Sequence, residues 1–470
     1  MMKLVPRYTD IADNFAIEDQ PSSVAAPQLL LWNASLAKQF NIEIEPQLRA
    51  STFAGNEPQQ IKTVALGYSG HQFGHFSPRL GDGRAHLLGA INDDKNQLWD
   101  IQLKGSGATP YSRGGDGKCA LGPAIREYVM SEAMHALGIP TTRCLAVVGT
   151  GESVYRNPPQ PGAVVTRLAS SHIRVGSFQY LATQGDIEGL KKLADLAIGR
   201  HYPEIKSEGP ERYLAFLESV TNNQVSLIIN WMRVGFIHGV MNTDNTLVSG
   251  ETIDYGPCAM MDNFDFDTVF SSIDKQGRYA FGNQPNMASW NCARLAESLI
   301  PLISDDEEKA VSLLTPVIHR FSEQFNTQFT VMWSKKLGLV DANEGDKELV
   351  SELLTLLQTH HLDYTNTFDA LTEFVNGNAT FPEELTEWAN KWQSRISNDS
   401  YKIMRAANPR IIPRNHIIET ILAEYNELGS SKLMSRFIKV ANNPYLFSDD
   451  MTEFQKVPLN DTNYKTFCGT

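Results

Sequence analysis

The sequence predicts an α+β fold in two lobes, a small β-rich amino-terminal lobe with one helix and a larger, mostly α carboxy-terminal lobe, with extensions at both ends. Two contrasts along the chain carry that prediction. From Leu66 to Arg167 the chain is rich in glycine and reads as strands. After Gly176, apolar residues recur at helical spacing.

Residues 1–60 alternate short apolar groups with Pro21, Pro27, Pro46 and Pro58. They read as an extension that wraps the next unit, with one short helix near Leu29 to Phe40. Residues 61–170 form the candidate nucleotide-binding lobe. Its strands RAHLLGAI and LWDIQLKG are joined by the polar hairpin signal NDDKNQ. Within it, PAIREYVMSEAMHALG places Ile125, Val129, Ala133 and Leu137 on one helical stripe, and Gly138 marks the helix end. Residues 171–470 form the helical lobe and its tail, through IEGLKKLADLAIGRHY, ERYLAFLESVTNNQVSLIINWMRVGF and the row Phe321, Phe325, Phe329 and Met332. The loops richest in chemistry fall within 160–275. The acidic stretch Asp341 to Asp346 reads as an exposed loop without calcium-loop spacing.

Bulk composition narrows the function classes. The 470 residues carry 41 Lys and Arg against 54 Asp and Glu, a net charge of −13. That balance speaks against a nucleic-acid-wrapping surface or a polybasic membrane anchor, so a positive site has to be local. The amino terminus lacks a signal-peptide apolar core, and the apolar stretch from Ser226 to Met241 is broken by Asn230 and Arg233. Neither export nor a membrane span is expected. Five cysteines, an odd number without CxxC spacing, fit neither a disulfide framework nor a zinc site, and point to a reducing cytoplasm. Oligomeric state is left open.

Chemistry enters through four segments. Gly81-Asp82-Gly83-Arg84 precedes a strand, where glycines would let backbone amides approach phosphate oxygens; a tight β-turn is the other reading. Lys104 ends the strand LWDIQLK, and Glu127 follows 23 residues later on the next helix. That is the order of a protein-kinase strand lysine and its helix glutamate, the alternative being a solvated strand-end lysine. His238-Gly239-Val240-Met241-Asn242-Thr243-Asp244-Asn245 precedes Asp254-Tyr255-Gly256, with TLV and TID between them read as strands. In the kinase pattern H-x-D-x-x-x-x-N, His238 and Asn245 fall in register, but Val240 occupies the place of the base. Valine cannot accept a proton, which leaves Asp244 as the nearest carboxylate able to do so. Asn245 and Asp254 offer hard oxygen ligands of the kind Mg2+ or Mn2+ prefers. Fourth, Arg113, the loop Gly114 to Lys118, and Arg167 and Arg174 around His172 could reach phosphate oxygens or serve surface ion pairs.

The strings YSGHQFGHFSPRLGDGRAHLLG, LKGSGATPYSRGGDGK, IREYVMSEAMHALGIPTTR, RLASSHIRVGSF and HGVMNTDNTLVSGETIDYGP resemble the selenoprotein O family over residues 66 to 270, and the length and Phe467-Cys468-Gly469-Thr470 ending also fit. The resemblance implies a kinase-like fold that lacks the usual catalytic aspartate, binds ATP flipped and transfers AMP to protein hydroxyls. It also implies nucleotide contacts from Gly81, Gly83, Arg84, Lys104, Asp116, Gly117, Arg167, Arg174 and Asp254, with Glu127 in support. Asp244 would be the proton acceptor, Asn245 and Asp254 the metal ligands, and UTP with manganese an accepted alternative. Some members carry selenocysteine near the end, where this chain has Cys468; a disulfide from it to Cys258 would restrain the metal-site loop, and a harmless exposed cysteine is the other reading. Two competing readings stand beside AMP transfer: γ-phosphoryl transfer to a small molecule or protein, and a catalytically silent ATP-binding scaffold.

Overall fold

Most strands of the glycine-rich segment join one antiparallel sheet in the computed structural model, which describes residues 2–57, 62–341, 343–458 and 464–466. The strands are β1 (Ala16–Glu18), β2 (Gln28–Trp32), β3 (Val64–Leu66), β4 (Gly70–Gln72), β5 (His75–Ser77), β6 (Ala85–Asn92), β7 (Leu98–Lys104), β8 (Cys119–Ala120), β9 (Arg143–Val154) and β10 (Gln160–Ala169). The main sheet runs β1-β3-β6-β7-β10-β9-β2, and β8 also pairs with β10, while β4 and β5 form a separate hairpin.

Period-two alternation sorts the sheet residues between two faces. Val148, Val164, Ile101 and Leu103 point into a cluster with Leu36, Phe40 and Phe53. Val147 and Val165 point to the other face, where α3 (Leu121–Ala136) brings Ile125, Val129 and Ala133. Along β7 the polar row Asp100, Gln102 and Lys104 alternates with Ile101 and Leu103, so it lies on the α3 face.

The amino-terminal segment differs from the expected lead-in. β1 extends one sheet edge by pairing with β3, and β2 extends the other by pairing with β9. The helix expected over Leu29 to Phe40 is confined to α1 (Ala34–Gln39), because Asn33 caps it by accepting from the Leu36 amide at 3.0 Å. The apolar run QLLLW before that cap is strand; such a run fits either element by periodicity. A second helix, α2 (Pro46–Ala54), starts with proline in its first turn, where a missing N–H costs nothing. The sheet thus carries α1 and α2 on one face and α3 on the other; α2 is the helix that was not expected.

The rest is helical, led by α4 (Val175–Thr183), α5 (Ile187–His201), α6 (Pro210–Val234), α7 (Gln284–Ile303) and α8 (Glu307–Lys336). Leu217 and Val220 of α6 pack with Leu295 and Leu299 of α7 and Leu314 of α8 in one core. Between α6 and α7, the two-residue strands Phe236–Ile237 and Ala259–Met260 pair and bracket the segment that carries Asp244 and Asp254. TLV and TID are not a strand pair. Leu247 bridges Arg174 and Thr252 bridges Thr141 as single β-bridges, so these residues pair with their surroundings and not with each other. Among the described residues no helix is long and apolar enough to cross a membrane.

Candidate active site

Lys104, Glu127, Arg167, Arg174, Asp244, Asn245 and Asp254 line one cleft of about 770 Å³ between the sheet and the helical half, together with Gly81, Gly83, Arg84, Asp116 and Gly117. Its floor is a charge network. Lys104 Nζ stands 2.6 Å from Glu127 Oε2 and 2.5 Å from Asp254 Oδ1. Arg167 Nη1 reaches the same Asp254 oxygen at 2.8 Å and Glu127 Oε1 at 3.2 Å. Arg174 Nη1 donates to Asp254 Oδ2 at 3.0 Å and to the Asp244 carbonyl. Burial would raise the Asp254 carboxyl, but Lys104, Arg167 and Arg174 override it and hold the group well below the usual carboxylate range. Asp254 itself has φ of +63°, a left-handed backbone that costs a non-glycine residue free energy and aims the carboxylate into the cleft.

Local structure explains how distant residues meet. Lys104 and Gln102 share the polar face of β7, and Arg167 lies opposite Gln102 on β10. Glu127 projects from α3 on the same side. Arg174 opens α4, and its guanidinium lies 4.7 Å over the Tyr68 ring.

Asp244 sits in the short 3-10 turn Thr243–Asn245 and is 8 % exposed. Burial first, against the pull of Arg174, pushes its carboxyl up to about 6. Oδ2 accepts a long hydrogen bond from Gln72 Nε2 at 3.4 Å, whereas Oδ1 has no partner. A β-carbon on Gly70 would stand 2.4 Å from that Oδ1, so glycine there leaves room for the carboxylate. Val240 lines the same cleft and offers no proton acceptor. His238 is buried, with Nε2 against the Ile253 carbonyl at 2.9 Å, and braces the loop without reaching the cleft.

The donor set fits a divalent cation. Asn245 Nδ2 donates to the Val240 carbonyl at 3.0 Å, which leaves Oδ1 as the side chain's ligating atom. With the Asp254 carboxylate it supplies two hard oxygens. Among the described residues there is no group of three or more His, Cys, Asp or Glu side chains able to cage an ion. Its remaining ligands would be phosphate oxygens and water, the usual arrangement for Mg2+ with a nucleotide.

The glycines serve packing as well as any ligand. A β-carbon on Gly81 would fall 2.2 Å from the Tyr111 ring, and one on Gly117 would fall 2.1 Å from the Gly107 backbone. Both have positive φ, +75° and +65°. They let the turn and the Gly114 to Lys118 loop close on their neighbours. Gly83 and Arg84 line the cleft beside Gly81. Asp116 is tied to Arg156 at 3.0 Å, and that hydrogen bond draws its carboxyl below its ordinary value.

Several residues that line the cleft or brace it from beneath escaped the sequence reading. Gln102 accepts from Arg167 Nη2 at 2.6 Å and donates to Asp82 Oδ2 at 2.9 Å, joining the turn to the arginine. The alternation of LWDIQLK could have revealed it. Arg156, Tyr68 and Gln72 carried no local signal. Cys258 is fully buried, and burial pushes its thiol up to about 11. Cys468 lies outside the described residues. The tail still approaches that loop, since Thr466 Oγ1 donates to the Pro257 carbonyl at 2.7 Å.

The model of the protein adenylyltransferase SelO family matches residues 1–442. A protein nucleotidyltransferase YdiU from Pseudoalteromonas translucida (strain TAC 125) is 74% identical over 469 residues, covering 100% of both chains. Proteins of the same name from Bacillus cereus (strain ATCC 14579) and Geobacillus kaustophilus (strain HTA426) are 50% and 49% identical over 98% of this chain and 97% and 98% of theirs. With the family model matched over residues 1–442 and 74% identity to a relative over both full chains, the protein belongs to the SelO family of protein adenylyltransferases.

Proposed function

We propose that the cleft transfers the AMP half of ATP to Ser, Thr or Tyr hydroxyls of proteins, with Asp244 as proton acceptor. The observation that carries the proposal is the pairing of Val240, inert where a kinase base would stand, with a cleft-lining Asp244 whose Oδ1 is unpartnered. The acceptor oxygen forms a bond to the α-phosphorus, and its proton passes to Asp244. The bond from the α-phosphorus to the bridging oxygen breaks, and its electron pair leaves with pyrophosphate. A carboxyl poised at about 6 is mostly ionised at neutral pH yet basic enough to take that proton.

Lys104, held by Glu127, and Arg167 and Arg174 provide the charge for the triphosphate and for the pyrophosphate as it departs. Gly81, Gly83, Arg84, Asp116 and Gly117 complete the nucleotide contacts. Asn245 and Asp254 hold Mg2+ or Mn2+, which when bound neutralises phosphate charge; UTP fits the same contacts to phosphate. Because Lys104, Arg167 and Arg174 all rest on Asp254, nucleotide and cation enter by exchanging those ion pairs for contacts to phosphate.

In this reading residues 61–170 and 171–470 are the two lobes of a kinase-like fold, residues 1–60 are an extension packed on the first, and the protein works in the cytoplasm. Thr466 beside Pro257 supports a Cys258–Cys468 disulfide as a restraint on the loop that follows Asp254. Non-reducing peptide mapping after peroxide treatment tests it, and Cys468 found only as free thiol would count against it.

The activity test is label transfer with Mg2+ or Mn2+. Label from α-labelled but not γ-labelled ATP is expected on protein. Label from γ alone would establish a kinase, and nucleotide binding without transfer from either position a silent scaffold.

A further inference from the structure

We infer that the hairpin β4–β5 together with Arg278, Trp290 and Arg294 forms the docking platform for the acceptor polypeptide, selecting hydroxyls flanked by acidic residues. The inference rests on the reading of Asp244 as the base.

The hairpin reaches the base loop directly. Gln72 contacts Asp244, the His71 amide donates to Thr243 Oγ1 at 2.7 Å, and the Phe73 amide donates to Asn242 Oδ1 at 3.1 Å. Tyr279 donates to that same Asn242 oxygen at 2.6 Å, with its ring 5.1 Å from Phe73. The next residue back, Arg278, therefore belongs to the same rigid unit as the base.

Outward from Gln72 the surface changes from carboxylate to aromatic and cationic. The His71 ring lies 4.8 Å from Phe76 and 5.0 Å edge-on from Trp290. Arg278 and Arg294 each place a guanidinium 4.9 Å from the Trp290 ring. Phe76 is 41 % exposed, too open to be a core residue.

The charges on this platform are unequal. Arg294 is neutralised by Glu297 at 2.6 Å. Arg278 forms no ion pair among the described residues. Its nearest acid in sequence, Asp274, is occupied by the backbone amides of Arg278 and Tyr279 at 2.9 and 2.7 Å. The Arg278 carbonyl accepts from Asn283 at 2.6 Å, so the backbone beneath the guanidinium is fixed. A chain of net charge −13 thus displays an uncompensated, stacked guanidinium one side chain away from the hairpin that touches its candidate base. Such a group is preorganised for a carboxylate, which can take a bidentate contact, and local positive charge steers an acidic segment to the cleft.

The test uses the full-length protein and peptides in which a Ser-Thr-Tyr core is flanked on both sides by Asp or by Lys. For wild type, transfer to the Asp-flanked peptide is expected at a KM about tenfold lower than for the Lys-flanked one. Arg278→Glu should invert that preference through KM while binding of a fluorescent ATP analogue stays at the wild-type level. Arg278→Ala should abolish the preference without inverting it, which also covers failure of the glutamate variant to fold. Equal changes for both peptides, or an unchanged preference in either folded variant, would overturn the inference. Asp244→Ala assayed alongside reports on the base alone: normal transfer by that variant refutes the base and leaves the peptide preference as a separate result.

Discussion

Two charge networks are built on the polar face of the same strand, β7, and they do different work. At Lys104 the network opens onto the cleft. Two residues beyond Gln102, at Asp100, it is sealed: Asp100 accepts from the Tyr8 hydroxyl at 2.6 Å, from Arg200 Nη2 at 2.8 Å and from the His172 amide at 3.0 Å, and has no exposed surface. Asp254, its counterpart in the cleft, is 22 % exposed at the side chain. The sealed network joins the amino-terminal segment (Tyr8), the sheet (Asp100) and α5 (Arg200). The open one gathers the same kinds of groups around space. A buried ion pair is therefore no sign of a site by itself; access to a cavity separates the two.

That contrast can be broken by substitution, starting with the largest effect. Asp254→Ala should lower protein labelling by about a thousandfold or more, since it removes a metal ligand and the partner of three cations. Its melting temperature should fall less than that of Asp100→Ala, because cleft water can solvate the cations it frees. Normal activity in Asp254→Ala would refute the metal assignment. Asp244→Ala should cost about 10²–10⁴ in transfer rate, the range for a general base, with nucleotide binding retained. A loss of nucleotide binding equal to the loss of rate would reassign Asp244 to binding.

Asp100→Ala should do the reverse. Leaving Arg200 buried without its carboxylate should cost roughly 3 kcal/mol of folding stability by denaturant titration. The folded fraction should transfer label at the wild-type rate. A folded Asp100→Ala protein with lost activity would show that the sealed network also serves the cleft.

The smallest effect concerns Glu251, which accepts from the Ser170 and Ser249 hydroxyls at 2.5 and 3.1 Å. Burial, only partly offset by those hydrogen bonds, raises its carboxyl from 4.5 to about 7. The folded state then holds a proton that the unfolded chain has lost. Its stabilising contribution is complete below about 4.5 and is lost as pH rises to about 7. Glu251→Gln should flatten the fall in melting temperature across that window; an unchanged slope would remove Glu251 as its source.

The sequence revealed the cleft where chemistry follows local order. Lys104 at a strand end, Glu127 on the next helix and the Asn245 and Asp254 loops are each placed by neighbouring periodicity. It was silent where partners are far apart. Gln72 meets Asp244 across 172 positions, and nothing in GHQFGHFS indicates a hairpin laid over that loop. The short edge strands β1 and β2 lack enough residues to show alternation, so β1 reads as lead-in and the apolar run of β2 as the start of a helix. The glycines were legible as special backbone positions, but Tyr111 and Gly107, which demand them at Gly81 and Gly117, come from elsewhere in the chain.

The most direct measurement is the identity of the leaving group when full-length protein, Mg2+ or Mn2+, ATP and an acceptor protein react. One pyrophosphate should be released for each nucleotide unit found on the acceptor, with release from Asp244→Ala slowed about 10²–10⁴-fold. Release of ADP in step with phosphate on the acceptor would contradict AMP transfer.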